Sequence, residues 1–127
     1  MLAAEVEAVL EANQAFYDAF EARDIDAMSE LWEHSDRVVC THPGWSTLRG
    51  WGAIAGSWFG LFGNAELLQF IVTNARAEVD GDIAWVVCDE NILGGASSGT
   101  VAALNLFARR PGGRWFMIGH HGSPIVG

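Results

Sequence analysis

Residues 67–93 read LLQFIVTNARAEVDGDIAWVVCDENIL. Two apolar, β-branched runs, 67–79 and 83–93, flank Asp80-Gly81, a dipeptide that supplies positive φ at both positions of a two-residue turn. A β-hairpin is predicted. The same pattern continues downstream, with strands over 100–109 and 114–121 and turns at 94–99 and at Pro111-Gly112-Gly113. The second half of the chain therefore reads as a four-strand antiparallel meander.

Upstream the period changes from two to between three and four. Val6, Val9, Leu10, Phe16, Tyr17 and Phe20 recur at helical spacing over 5–22, and Asn13 falls on the same stripe. Arg23 and Asp24 interrupt it, and Asp24 is a good N-cap for a second short helix carrying Met28, Leu31 and Trp32. Residues 37–42 form a short first strand, stopped by Pro43 and Gly44 and followed by a loop. Trp51, Ile54, Trp58, Leu61 and Phe62 make a third helical stripe over 51–62. Along that helix Gly52, Gly56 and Gly60 repeat every four residues, which reads either as a close approach of backbone to the sheet or a ligand, or as simple tolerance. Helices followed by a meander give an α+β fold, one domain over 1–127, with helices packed on one face of a curved antiparallel sheet.

Seven basic residues, all of them Arg, face sixteen acidic ones, for a formal charge of −9. Such a surface repels phosphate backbones and anionic lipid heads, so neither nucleic acid nor membrane is an expected partner. The N-terminal segment carries Glu5 and Glu7 without a basic stretch and reads as the start of a helix, so a cytoplasmic location is expected. Cys40 and Cys88 lack metal-site spacing and are expected to be buried free thiols.

The order of these elements, together with Ala22-Arg23-Asp24-Ile25-Asp26 at the helix corner and WFMIGHHGSP over 115–124, resembles the nuclear transport factor 2-like (NTF2-like) superfamily, in its SnoaL-like and ketosteroid isomerase-like branch. The C-terminal segment is also similar to the association domain of calcium/calmodulin-dependent protein kinase. The resemblance implies a cystatin-like cone, with a pocket between the helices and the concave face of the sheet, and a homodimer formed through the other sheet face. Ketosteroid isomerases carry a tyrosine on the first helix, an aspartate base after the second, and a protonated acid on a central strand. Those places fall on Phe16, His42 and Asn105, of which only His42 keeps a proton acceptor.

His42 precedes Pro43 and titrates near neutrality when unperturbed, so it serves as a proton acceptor or as a strand-end hydrogen-bonder. Asn105 stands alone among Val101, Ala103, Leu104, Leu106 and Phe107, where a buried amide needs partners; it is a candidate oxyanion donor, or a core amide bonded to a neighbouring strand. Asp89 and Glu90 point to opposite faces of their strand; likeness to the kinase association domain favours Glu90, the expected inward acid, whereas alignment to the isomerases favours Asp89. His120 is expected in the pocket on a face shared with Phe116 and Ile118, with His121 on the other. Trp45 and Arg49, in the loop after His42, are candidates to clamp a ligand. No metal and no cofactor is called for.

These residues admit two readings: an isomerase or hydratase and lyase acting by proton transfer next to a carbonyl of a small organic ligand, or a non-catalytic binding or dimerisation module.

Overall fold

Arg23 adopts a φ of 53° and so ends α1 (Leu2–Ala22), and Asp24 then caps α2 (Ile25–Leu31), its carboxylate accepting the Ala27 amide hydrogen at 3.1 Å. The corner predicted from these two residues turns α2 across α1. In the computed structural model, which describes residues 2–64, 67–94 and 99–126, α3 (Trp51–Phe62) completes the helical layer.

The strands are β1 (Val39–Thr41), β2 (Leu48–Arg49), β3 (Gln69–Asp80), β4 (Ile83–Leu93), β5 (Gly99–Arg109) and β6 (Trp115–Pro124), in the sheet order β2-β1-β6-β5-β4-β3. The meander forms, but its first turn is shifted by one residue from the expected Asp80-Gly81: Asp80 pairs with Ile83, so Gly81 and Asp82 make the turn, with Gly81 at a φ of 62° and Asp80 kept in the strand. The turn expected at 94–99 falls partly on residues 95–98, outside the described residues. Two further features differ from the expectation. β2 lies in the segment read as a loop, where the Trp45 amide bonds His42 O at 2.8 Å and the Thr41 and Thr47 hydroxyls meet at 2.8 Å, closing a small hairpin. β1 runs parallel to β6, with Val39 opposite Gly119, because the chain enters the sheet from α2 at the far side of the meander.

Two bulges bend the sheet. On β3 the register shifts between Thr73 and Arg76, where Asn74 takes a φ of 58° and donates its amide to Asp89 at 2.9 Å. On β6 Leu106 pairs with Gly119 but Phe107 with Met117, which leaves Ile118 extra. The inner face and the helices enclose Phe16, Trp32, Ile54, Trp58, Val86, Phe107 and Met117. Both cysteines are buried and free, and among the described residues no helix is long and apolar enough to cross a membrane.

The glycine stripe of α3 faces solvent. An added Cβ at Gly52, Gly56 or Gly60 would meet no atom within 4 Å, so within this chain tolerance, and not close approach, accounts for it; Ile54, Ser57 and Trp58 hold the opposite side. Helix-interior Gly is about 0.5–1 kcal/mol worse than Ala. The double variant Gly56→Ala/Gly60→Ala is therefore expected to raise the melting temperature by about 3–10 °C in calorimetry; an unchanged or lower value would mean that this face is covered by something else.

Candidate active site

Asn13, Phe16 and Tyr17 stand three and four residues apart, so one face of α1 directs all three inward. Opposite them, alternation along β4 turns Val86, Cys88 and Glu90 to the same side, and pairing of Asn105 with Val86 and with His120 brings β5 and β6 into line. The polar groups meet. Tyr17 Oη bonds Glu90 Oε2 at 2.5 Å, Asn105 Nδ2 donates to Asn13 Oδ1 at 2.8 Å and to Tyr17 Oη at 3.2 Å, and His120 Nδ1 lies 2.6 Å from Asn105 Oδ1.

Donor and acceptor chemistry orders the protons along this chain. Asn105 Oδ1 only accepts, so His120 carries its hydrogen on Nδ1 and keeps a lone pair on Nε2. The Tyr17 oxygen accepts from Asn105, so its own hydrogen goes to the Glu90 carboxylate. A second pair stands beside this chain: the Ser57 hydroxyl donates to Ile54 O at 2.6 Å, so His42 must donate Nε2–H to Ser57 Oγ at 2.9 Å and keep Nδ1 as acceptor. The His42 and His120 rings are 6.4 Å apart, with Trp58 packed against both. Among the described residues the buried Trp58 indole N–H has no acceptor.

Burial disfavours charge throughout. It pushes Glu90 up to about 7, against the Tyr17 hydrogen bond that favours the carboxylate. It also lowers His42 to about 4 and His120 to about 3, the latter further opposed by His42 and His121. Tyr17 rises well above the usual tyrosine range through burial and the neighbouring Glu90. Between about pH 4 and 7 the interior holds neutral imidazoles beside a carboxylic acid.

Residues 9–127 match the family of SnoaL-like domains. The chain belongs to that family. An NTF2-like protein of Streptomyces avermitilis, provisionally named a dehydratase, is 38% identical with a TM-score of 0.92, each chain being covered in full. A Thiobacillus denitrificans protein provisionally named a calcium/calmodulin-dependent protein kinase type II association domain is 33% identical with a TM-score of 0.83, over 91% of this chain and 93% of the other. The F-box protein SKIP8 of Arabidopsis thaliana is 29% identical over 97% of this chain, which spans 52% of that relative's length.

In this SnoaL-like domain the expected site residues divide. Glu90, Asn105 and His120 join one hydrogen-bonded chain, His42 stands next to it, and the Phe16 ring walls it 4.9 Å from the His120 ring. His120 points inward, but in different company from that expected. The extra residue Ile118 resets the alternation, so His120 shares its face with Trp115 and Met117 while Phe116 turns outward. Trp45 is half-exposed with its ring edge on His42 at 4.8 Å. Arg49 does not join: it pairs with Val39 on β2, whereas the inward pair is Cys40 with Leu48, so it lies exposed on the opposite face.

Tyr17, Asn13 and Ser57 belong to the cluster and were not singled out as site residues. Tyr17 is the chain's single tyrosine and lies on the apolar stripe, a signal that was available. Among the described residues no three His, Cys, Asp or Glu side chains assemble as a metal group. A recess of about 110 Å3 opens beside Phe20 and Phe62, whose rings pack on Trp58.

Because the Glu90 carboxyl titrates higher in the folded state, the folded state binds more protons between about pH 4.5 and 7 and this group's contribution to stability falls as pH rises through that window. Glu90→Gln is expected to gain on the order of 2 kcal/mol over the parent at pH 8 and nothing at pH 4, read by denaturant titration. Equal differences at both pH values would remove the raised pKa from the account.

Proposed function

We propose that this SnoaL-like domain is a cofactor-independent isomerase or hydratase and lyase acting by proton transfer next to the carbonyl of a small organic substrate. The observation that carries this reading is the Tyr17–Glu90 bond, with a carboxyl held near pH 7. While Glu90 is ionised it takes the Tyr17 hydrogen. Once protonated, Glu90 donates to Tyr17 Oη instead, and the Tyr17 hydroxyl hydrogen is released toward the interior.

The roles follow from which atoms remain free. His42 Nδ1, which has only a long contact of 3.9 Å with the Cys40 thiol, takes the proton from the carbon next to the carbonyl, its ring held by Ser57 through Nε2–H. The developing oxyanion is met by Tyr17 and by the unpartnered Trp58 N–H. Return of the proton at a neighbouring carbon isomerises the substrate; in a dehydration the Tyr17 hydrogen goes to the departing β-hydroxyl instead, is resupplied by Glu90, and the Trp58 N–H alone meets the oxyanion. Asn105 has both amide hydrogens engaged, so it orients Tyr17 and His120 and does not serve as the direct oxyanion donor. The identity of 38% with the Streptomyces avermitilis protein supports the dehydratase branch.

One observation favours the rival reading of a binding or dimerisation module: Glu90 is already bonded by Tyr17, and Asn105 by Asn13, Tyr17 and His120. A screen of carbonyl compounds by thermal shift followed by turnover separates the two. For an enzyme, kcat/KM rises through about pH 4 and falls through about pH 7. Tyr17→Phe and His42→Ala each lower turnover by about a hundredfold or more. Glu90→Gln loses the alkaline limb. Ligands that bind with no turnover, or turnover indifferent to all three variants, would leave the binding module standing.

Val87 and Leu104 are 44% and 39% exposed on the outer sheet face beside Trp85 and Leu106, an apolar surface suited to a second copy. A homodimer through this face is expected by light scattering at low micromolar concentration, and Val87→Glu/Leu104→Glu is expected to give monomer; a parent that is already monomeric would refute it.

A further inference from the structure

Outside the sheet, away from the buried cluster, a groove of about 810 Å3 lies between the end of α2 and the β5–β6 turn. Pro111-Gly112-Gly113 folds that turn, and the Arg110 amide bonds Arg114 O at 2.9 Å, which sets the two arginines side by side. Both guanidinium groups rest on Phe116, at 5.8 and 4.5 Å from the ring centre. The Ile118 bulge is what turns that ring outward.

Two cations over one ring repel each other and attract an anion. Arg110 reaches Glu33 only at 3.3 Å, and Glu33 is already held on both oxygens by Arg37 at 2.7 and 2.8 Å. Arg114 donates to Glu30 O at 3.0 Å and, among the described residues, has no carboxylate within 4.0 Å. Trp32 lines the groove; it is 2% exposed, and its buried indole N–H has no acceptor among the described residues.

We propose that this groove binds a small aromatic carboxylate. Its carboxylate accepts from the Arg110 and Arg114 forks, and its ring stacks on guanidinium and Phe116 beside Trp32. Charge selects a single negative group. Arg37, Arg110 and Arg114 together face Glu30 and Glu33, which leaves one positive charge at the groove, so a dianionic phosphate ester is disfavoured. None of His42, Tyr17 and Glu90 takes part, and the site stands or falls independently of the reaction proposed above.

The test is a titration of the 15N-labelled full chain with benzoate, followed by 1H–15N spectra of the indole and arginine Nε groups, with acetate and phenyl phosphate in parallel. The Trp32 indole signal, assigned with Trp32→Phe, is expected to shift saturably while Trp58 stays in place. Benzoate is expected to bind about tenfold tighter than either comparator, and Arg114→Gln and Arg110→Gln each to weaken it about tenfold, or about 1.4 kcal/mol. Both substitutions lie on the surface, and the unchanged remainder of the spectrum reports that the variants are folded. No saturable Trp32 shift up to about 50 mM benzoate, shifts that survive both arginine substitutions, or equal affinity for acetate or phenyl phosphate would each overturn the site.

Discussion

Asn105 sits wholly out of water in the middle of β5, where each amide group left unpaired costs about 1–3 kcal/mol. It avoids that cost by reaching α1 through Asn13 and Tyr17 and β6 through His120. The distant α1 is thereby fixed in one register with the neighbouring strands β5 and β6. Tyr17 can present its hydroxyl to Glu90 only because Asn105 occupies the other side of that oxygen, and His120 keeps its Nε2 lone pair only because Asn105 takes the Nδ1 hydrogen. The amide that reads at first as a catalytic donor acts instead as the hub that assigns donor and acceptor roles to its neighbours.

Curvature and alternation decide what faces whom. A flat β6 would put Phe116 and His120 on the same side. One extra residue at Ile118 sends His120 into the interior with Trp115 and Met117 and sends Phe116 out, where it supports two arginines. A single bulge therefore separates an uncharged interior from a cationic groove on the exterior of an acidic chain. Inside, burial holds imidazoles neutral and a carboxyl half protonated near pH 7; outside, full charges persist in water.

Much of this was legible in the amino-acid order. The β3–β4 hairpin, though not the exact residues of its turn, the cap at Asp24, the α3 stripe over Trp51–Phe62 and the inward choice of Glu90 over Asp89 depend on short-range periodicity, local turn chemistry and family likeness. The likeness pointed at Phe16, whereas the adjacent Tyr17 carries the phenol, because neighbouring helical positions differ by only about 100° and both can reach a concave interior. Arg49 was assigned to a loop because a two-residue strand leaves no periodicity to read; its pairing with Val39 is what turns it away from His42.

Local order therefore determined the elements, their sequence and the polar residues that must be buried among apolar ones, since those depend on side chains a few positions apart. Only the tertiary structure decided that Asn13, Tyr17, Glu90, Asn105 and His120 meet, that His42 stands beside them anchored on Ser57, and that Arg110 and Arg114 share a ring. The physical reason is that hydrogen-bond direction and strand facing depend on partners seventy or more residues away, as between Tyr17 and Glu90, and on bulges whose position is set by cross-strand pairing.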